Sequence, residues 1–343
     1  MNFIFFHTNC VDGTMSAAIA SLKYPNSKCI KINYGSECFD IVEDHIGKRS
    51  ITDDYIENII FVDFGPDTKT LNYLYDKSMV MRIDNITIID HHKTFAEKVK
   101  DSFLYQNEFK QNKSKIDFSN KFELISCKDK SKTKNTQFNI TYDKNKCGAT
   151  LTYQYLFPND KLPKILEYVE DRDLWLNKLQ PNTEYTHIIL SSKYLNKPYM
   201  INISKLLELN NKQLNEIIEK GKNVSEYKYN LIANIIEEWN KKKLFFTLIE
   251  KTYERKERTI PAINSNMFQS EIGNILLQEE YNLCCIYSVD LFKRKVTLSF
   301  RSKDGSAKKF AEWFGGGGHD NAAGAIINMR NFYGYCNLDE GED

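Results

Sequence analysis

The chain has 343 residues, with 47 Lys+Arg against 46 Asp+Glu for a formal net charge of +1, and hydrophobic residues make up 41% of it. That length suggests two domains, and the apolar share supplies packed cores, so a wholly disordered chain is excluded. The charge balance excludes a globally basic nucleic-acid coat and leaves only a local basic patch open.

No apolar run approaches the roughly 18 residues that a membrane helix needs. Phe3-Ile4-Phe5-Phe6 is a strand-length run broken by His7, too short for a signal peptide. The eight cysteines form no C-x-x-C pair, which fits reduced thiols better than a disulfide frame or a zinc finger. These features predict a soluble, cytoplasmic protein with no membrane partner.

The first hundred residues alternate strand-like and helix-like segments. Residues 2–6, 28–33, 58–64 and 85–90 read as strands, with a helix over 13–22. Strands separated by helices predict a parallel sheet covered on both faces, with ligands at the carboxyl ends of the strands. Between residues 105 and 146 the pattern dissolves into a Lys/Asn/Ser-rich stretch with ten Lys against five acids. It reads as a solvated surface insertion or hairpin, because charge runs are usually solvated faces.

Helices follow over 150–157 and 163–171, then a long helical stretch over 186–240 with apolar residues at a period near 3.6. From residue 243 the pattern turns β-rich, with strands near 244–249, 259–264, 282–289 and 296–302 and helices near 268–278 and 306–313. The predicted division is 1–185 for a first domain, 186–242 for a helical connector, 243–335 for a second domain and 336–343 for an acidic tail.

The chemistry gathers at the strand ends. Asp90-His91-His92 closes one apolar run. Alone, such a pair of histidines is well explained by a polar loop. Matching donors elsewhere change the reading: His7 and Asp12 follow the first strand, Asp63 ends another, and Asp171 and Asp173 lie at a helix end. Carboxylates mixed with imidazoles suit Mn²⁺ or Mg²⁺ better than a thiolate zinc site, and the set is large enough for two ions sharing one bridging carboxylate. Downstream, Gly315-Gly316-Gly317-Gly318-His319 reads either as a flexible linker or as a phosphate-binding turn. Arg301, just upstream, is a forked donor suited to a phosphate. Trp175 beside a helix end reads as core packing before a base-stacking face, Lys93 reads as solvated or as a counter-charge to a phosphate, and His45 and His187 read as structural.

The segments His7-Thr8-Asn9-Cys10-Val11-Asp12-Gly13, Val62-Asp63, Asp90-His91-His92 and Glu170-Asp171-Arg172-Asp173 resemble the four motifs of the DHH phosphoesterases. Ser299-Phe300-Arg301-Ser302, the glycine run and Ala322-Ala323-Gly324 resemble the associated DHHA1 domain. The Asp-x-Asp-Leu-Trp form of the fourth motif is similar to that of the nano-RNase branch, which hydrolyses very short oligonucleotides.

The resemblance implies an α/β fold: an N-terminal DHH domain with a parallel sheet flanked by helices, a helical linker and a smaller C-terminal α/β DHHA1 domain. It also implies two Mn²⁺ ions, with Mg²⁺ or Co²⁺ as substitutes. One ion would take His7 and Asp63. The other would take Asp12, Asp63, His91 and Asp171, with Asp63 as the bridge. Asp173 is the reserve for Asp171, because the motif can slip by two residues. His92 would face the substrate phosphate with Asp90 beside it. Arg301, His319 and the Gly316, Gly317 and Gly318 amides would hold the far phosphate or terminal nucleotide, in a cleft that closes on the substrate.

One departure stands out. Cys10 occupies the place of the first of two acids in the family's first motif, and it is either a thiolate ligand or a spectator. The expected activity is metal-dependent hydrolysis of phosphodiester bonds in short oligonucleotides or small nucleotides. The alternatives are a phosphatase for 3′-phosphoadenosine 5′-phosphate or polyphosphate, or a degenerate DHH fold that binds nucleic acid or a partner. Long duplex DNA is not expected as a substrate. Oligomeric state stays open, a homodimer included.

Overall fold

The computed structural model describes residues 1–8, 10–33, 37–47, 55–109, 118–126, 136–194, 205–242, 244–249, 257–278 and 281–335. The chain divides into two compact units, Met1–Ser225 and Glu226–Asp343.

The first unit is built on a six-stranded sheet. Its strands are β1 (Asn2–His7), β2 (Lys28–Ile32), β3 (Ile56–Val62), β4 (Ile83–Asp90), β5 (Lys121–Ile125) and β6 (Gln137–Asp143), in the order β2-β1-β3-β4-β6-β5. All neighbours pair in parallel except β5, which runs antiparallel to β6 at the edge. The expected α/β sheet with helices on both faces is therefore present. Strand alternation explains the two faces. Phe3 and Phe5 of β1 join Phe61, Ile88 and Phe138 in one core, while Ile4 and Phe6 join Val62 and Ile89 in the other. The first core lies under α2 (Glu37–Ile46), α3 (Thr68–Val80) and α4 (Lys93–Lys98). The second lies under α1 (Val11–Lys23), α5 (Gly148–Leu156), α6 (Lys164–Asp173) and α7 (Asn182–Tyr194).

The surface insertion expected over 105–146 needs correction. A π-helical turn spans Tyr105–Phe109, and β6 is a buried strand of the main sheet, with Phe138, Ile140 and Tyr142 in the core. Lysines and asparagines around this short apolar run masked it. Residues 110–117 and 127–135, which hold most of the lysines of that stretch, lie outside the described residues.

The long helix α8 (Asn211–Lys242) runs across the division between the units. In the second unit, β7 (Phe245–Ile249), β8 (Glu257–Asn264), β9 (Leu283–Asp290), β10 (Lys295–Ser302), β11 (Gly317–His319) and β12 (Ala322–Asn328) form a sheet ordered β11-β12-β10-β9-β8-β7. Its pairs are antiparallel except β8 with β9. Helices α9 (Gln269–Gln278), α10 (Ser306–Trp313) and α11 (Met329–Tyr335) complete it. The predicted acidic tail lies outside the described residues. Among the described residues no helix is long and apolar enough to cross a membrane.

Candidate metal centre

The chain runs from β1 to β2 on one side of β1 and then returns to place β3 on its other side. Where strand order reverses in this way, the carboxyl ends leave a crevice. His7 ends β1, Asp63 follows β3, and Asp90-His91-His92 ends β4, so three neighbouring strands deliver their polar residues to one place.

Two glycines let other elements reach it. A Cβ on Gly13 would sit 2.2 Å from the His7 carbonyl oxygen, so only glycine lets the first turn of α1 approach β1 this closely. A Cβ on Gly148 would meet the Asp63 Cβ at 2.5 Å, so the start of α5 packs directly beneath Asp63. Asp63 itself has φ +52°, an uncommon left-handed conformation for a residue other than glycine. Such strain is typical of sites where geometry matters more than stability.

His91 stands at the centre of the acids. Its Nε2 lies 3.1 Å from Asp63 Oδ1, 3.7 Å from Asp12 Oδ2 and 3.6 Å from Asp173 Oδ2. Across the site His7 Nδ1 lies 3.6 Å from Asp63 Oδ2, beyond hydrogen-bonding distance. Asp63 is 1% exposed, and its Oδ2 has no hydrogen-bond partner. A buried carboxylate oxygen left in that state is costly and fits a cation.

Candidate ligand atoms gather within 4.8 Å of one another in three overlapping groups: His7, Cys10 and Asp63; Asp63, His91 and His92; and Asp12, His91 and Asp173. Asp63 belongs to two of these groups, the position a bridging ligand needs. The residues therefore fit divalent ions by donor type and by the orphaned oxygen.

Supporting contacts hold this set in place. Both oxygens of Asp12 accept amides at the start of α5, from Gly148 at 2.6 Å and Ala149 at 2.7 Å. Asp90 Oδ1 accepts from the His91 amide at 2.9 Å and contacts His92 Nδ1 at 2.7 Å, which orients the imidazole. Asp90 thus sits behind His92 and orients its ring, where the resemblance implied a place at the substrate.

The structure does not bring Asp171 to the site. Its Oδ1 accepts the Lys178 amide at 2.8 Å, and its Oδ2 accepts the Leu179 amide at 3.3 Å and the Thr183 hydroxyl at 2.5 Å. Asp173, two residues later, stands in the cluster instead. The expectation for Asp171 is corrected on that ground: its carboxylate is engaged in tying the loop after α6 to α7.

Electrostatics follow from crowding. Burial opposes ionisation of Asp63, but the His7 and His91 imidazoles outweigh it and hold the carboxyl below its usual range. Burial and then the Asp63 charge push the Asp12 carboxyl well up. Burial and Asp63 likewise raise Asp173, against the pull of His91. For His91 burial favours the neutral ring, yet Asp63 and Asp12 push it up to about 10. His92 is raised too, with burial opposed by Asp90. Burial and the Asp63 and Asp12 charges push the Cys10 thiol up.

Sequence reading missed two features. The Gly148 and Ala149 amides cradle Asp12, and the only signal was a pair of small residues before a helix. Trp175, read as core, is 61% exposed, with the Arg172 guanidinium 4.5 Å from its ring centroid. Lys93 is solvated and His45 holds a local backbone contact. Lys93 is 86% exposed and pairs with Glu97, and His45 Nδ1 contacts the Ile41 carbonyl at 2.9 Å. His187, read as structural, lines a small cavity with Cys10, Asp12, Arg172 and Asp173.

In the second unit, the register puts Arg301 and His319 opposite the same residue, Ala322, from its two sides. One cross-strand row shares one face of a sheet, so both side chains project the same way. The Arg301 guanidinium donates to the Phe300 carbonyl at 2.8 Å and to Ser270 Oγ at 2.9 Å. Gly317 and Gly318 form the edge strand β11 with His319, so the run is neither linker nor free turn. The Gly316 amide caps α10 by donating to the Ala311 carbonyl at 2.9 Å, which corrects its expected part in anion binding.

No family model matches the chain. It is 23% identical over 346 residues to the uncharacterized protein R106 of Acanthamoeba polyphaga mimivirus, across 96% of this chain and 68% of that protein. Among solved structures, an uncharacterized protein from Helicobacter pylori G27 is 15% identical with a TM-score of 0.36, covering 97% of both chains. RecJ in complex with Mn²⁺ from Thermus thermophilus is 11% identical with a TM-score of 0.45, over 97% of this chain and 50% of that one. The pGpG-specific phosphodiesterase PggH from Vibrio cholerae is 12% identical with a TM-score of 0.40, over 97% and 94% of the two chains. Similarity at this level leaves the functional reading to the chain's own side chains.

Proposed function

We propose that this chain is a divalent-metal-dependent phosphoesterase that hydrolyses short oligonucleotides or small nucleotides. The observation that carries this reading is the convergence of buried Asp12 and Asp63 and half-buried Asp173 on His91, with Asp63 Oδ2 left without a hydrogen-bond partner. Asp63, His7, His91, Asp12 and Asp173 would hold two ions, Mn²⁺ fitting the mixed donors better than Mg²⁺. Such ions supply charge that screens phosphoryl oxygens and acidifies the attacking water.

The chain's own groups do the rest. Gly148 and Ala149 hold Asp12 from behind, so the acid needs no rearrangement to act. Asp90 fixes His92 through Nδ1, so a proton given to a leaving oxygen passes through Nε2. The raised affinity of His92 for a proton suits it to that donation. Arg301 and His319, on one sheet face, are suited to a second phosphate. Trp175, exposed two residues beyond Asp173, offers an aromatic face for a base and favours a nucleotide over polyphosphate. A binding module derived from this fold has no need to keep two buried acids and a half-buried third together, which weighs against a degenerate role.

The test is hydrolysis of a dinucleotide by wild type and Asp63→Asn, with Mn²⁺ and with EDTA. Metal-dependent turnover that falls at least about a thousandfold in the variant is the expected result. Equal turnover in both would overturn the reading.

A further inference from the structure

We propose that Cys10 is a thiolate ligand in a mixed nitrogen, sulfur and oxygen cation site with His7 and Asp63, and that this site selects borderline ions such as Co²⁺ or Zn²⁺ over Mg²⁺. The proposal rests on the metal-dependent reading above and adds to it the identity of one site's donor set.

Three observations carry it. The His7, Cys10 and Asp63 ligand atoms lie within 4.8 Å of one another. Asp63 Oδ2 is buried without a hydrogen-bond partner and lies 3.6 Å from His7 Nδ1, on the side of the carboxylate away from the His91 contact. Cys10 occupies the N-cap position of the 13-residue helix α1, with extended backbone at φ −124° and ψ 139°.

Donor chemistry then sets the preference. An aspartate at position 10 would complete an all-oxygen and imidazole site that suits Mn²⁺ or Mg²⁺. A thiolate moves the same site toward softer ions, because Mg²⁺ binds sulfur poorly. On binding, the thiol proton goes to solvent and the sulfur lone pair goes to the cation. The neighbouring group of Asp12, His91 and Asp173 has no sulfur and keeps its preference for hard ions. The two sites of this chain therefore differ in the ion they take.

The experiment is anaerobic titration of the full-length, metal-stripped protein with Co²⁺, followed by absorption spectroscopy and calorimetry, for wild type, Cys10→Ser and Cys10→Asp. Wild type is expected to show a sulfur-to-cobalt charge-transfer band that both variants lack. The variants should still bind cobalt by calorimetry. The affinity ratio of Co²⁺ to Mg²⁺ should fall at least about tenfold in Cys10→Asp. Cobalt binding with no charge-transfer band in wild type, or a band that survives in Cys10→Ser, overturns this proposal and leaves the metal-dependent reading standing. An absence of any divalent-ion binding to wild type overturns both.

Discussion

Asp171 and Asp173, two residues apart in the last turn of α6, face different partners. Asp171 accepts from the Lys178 and Leu179 amides and the Thr183 hydroxyl, whereas Asp173 Oδ2 lies 3.6 Å from His91 Nε2. One acid holds the fold and the other faces the candidate site, and their substitutions should separate accordingly. Asp171→Ala leaves buried donors unpaired and is expected to cost about 3 kcal/mol of stability, read from denaturant unfolding. Asp173→Asn should leave stability within about 0.5 kcal/mol of wild type. It should lower divalent-ion affinity at least about tenfold in calorimetry. Equal stability losses in the two variants would contradict this division.

Stability of the ion-free protein should depend on pH in a direction set by His91. Its folded-state value of about 10 lies above the roughly 6.5 of an unfolded chain. A raised value contributes stability that is complete below about 6.5 and is lost as pH rises through about 10. Asp12 and Asp173, also raised, act in the same direction, with stability lost as pH climbs from the usual carboxylate range through their raised values. Asp63, lowered, contributes stability that is present above the usual carboxylate range and lost only as pH falls below it. From neutral to alkaline pH the ion-free protein should therefore lose stability. Ion binding requires the deprotonated set, so affinity for Mn²⁺ should rise over the same range. Thermal unfolding in EDTA and in Mn²⁺ across that range should give slopes of opposite sign. Parallel slopes would count against a shared proton and metal site.

Much of the first unit was legible because its strands end in polar residues. Short apolar runs closing on His7, Asp63 and Asp90 mark both the sheet and the site, since a parallel sheet gathers its carboxyl ends on one edge. What escaped reading was short or shared. Gln137-Phe138-Asn139-Ile140-Thr141-Tyr142 alternates like a strand, but its composition merges with the lysines around it. Asp171 and Asp173 occupy the same helix end in sequence. Only the Thr183 hydroxyl and the loop amides, set by tertiary structure, decide which one turns inward. Trp175 lies in the left-handed turn that closes α6, with φ +52°, and sequence carries no sign of that conformation.

Gly148 supports the site through absence of a side chain. Gly148→Ala would place a methyl 2.5 Å from the Asp63 Cβ and 2.6 Å from its Oδ1, with α5 and β3 both anchored in the core. Relief requires moving Asp63 or the start of α5, at a cost of about 1–3 kcal/mol. Differential scanning calorimetry should show a lower midpoint, and ion affinity should fall with it. An unchanged midpoint would mean that α5 can shift without disturbing Asp63.

Trp175 separates nucleotide from polyphosphate substrates. Stacking on a base is worth about 1–3 kcal/mol. Trp175→Ala should therefore raise KM for a dinucleotide at least about fivefold and leave kcat nearly unchanged. Hydrolysis of a short polyphosphate should be unaffected. An equal loss on both substrates would assign Trp175 a structural part instead.

The central claim is tested most directly by following a labelled RNA dinucleotide and a long oligomer with wild type and His91→Ala, in Mn²⁺ and in EDTA. Faster cleavage of the dinucleotide is expected, dependent on Mn²⁺ and lost in the variant. No cleavage of either substrate in Mn²⁺, or cleavage that survives in His91→Ala, would contradict it.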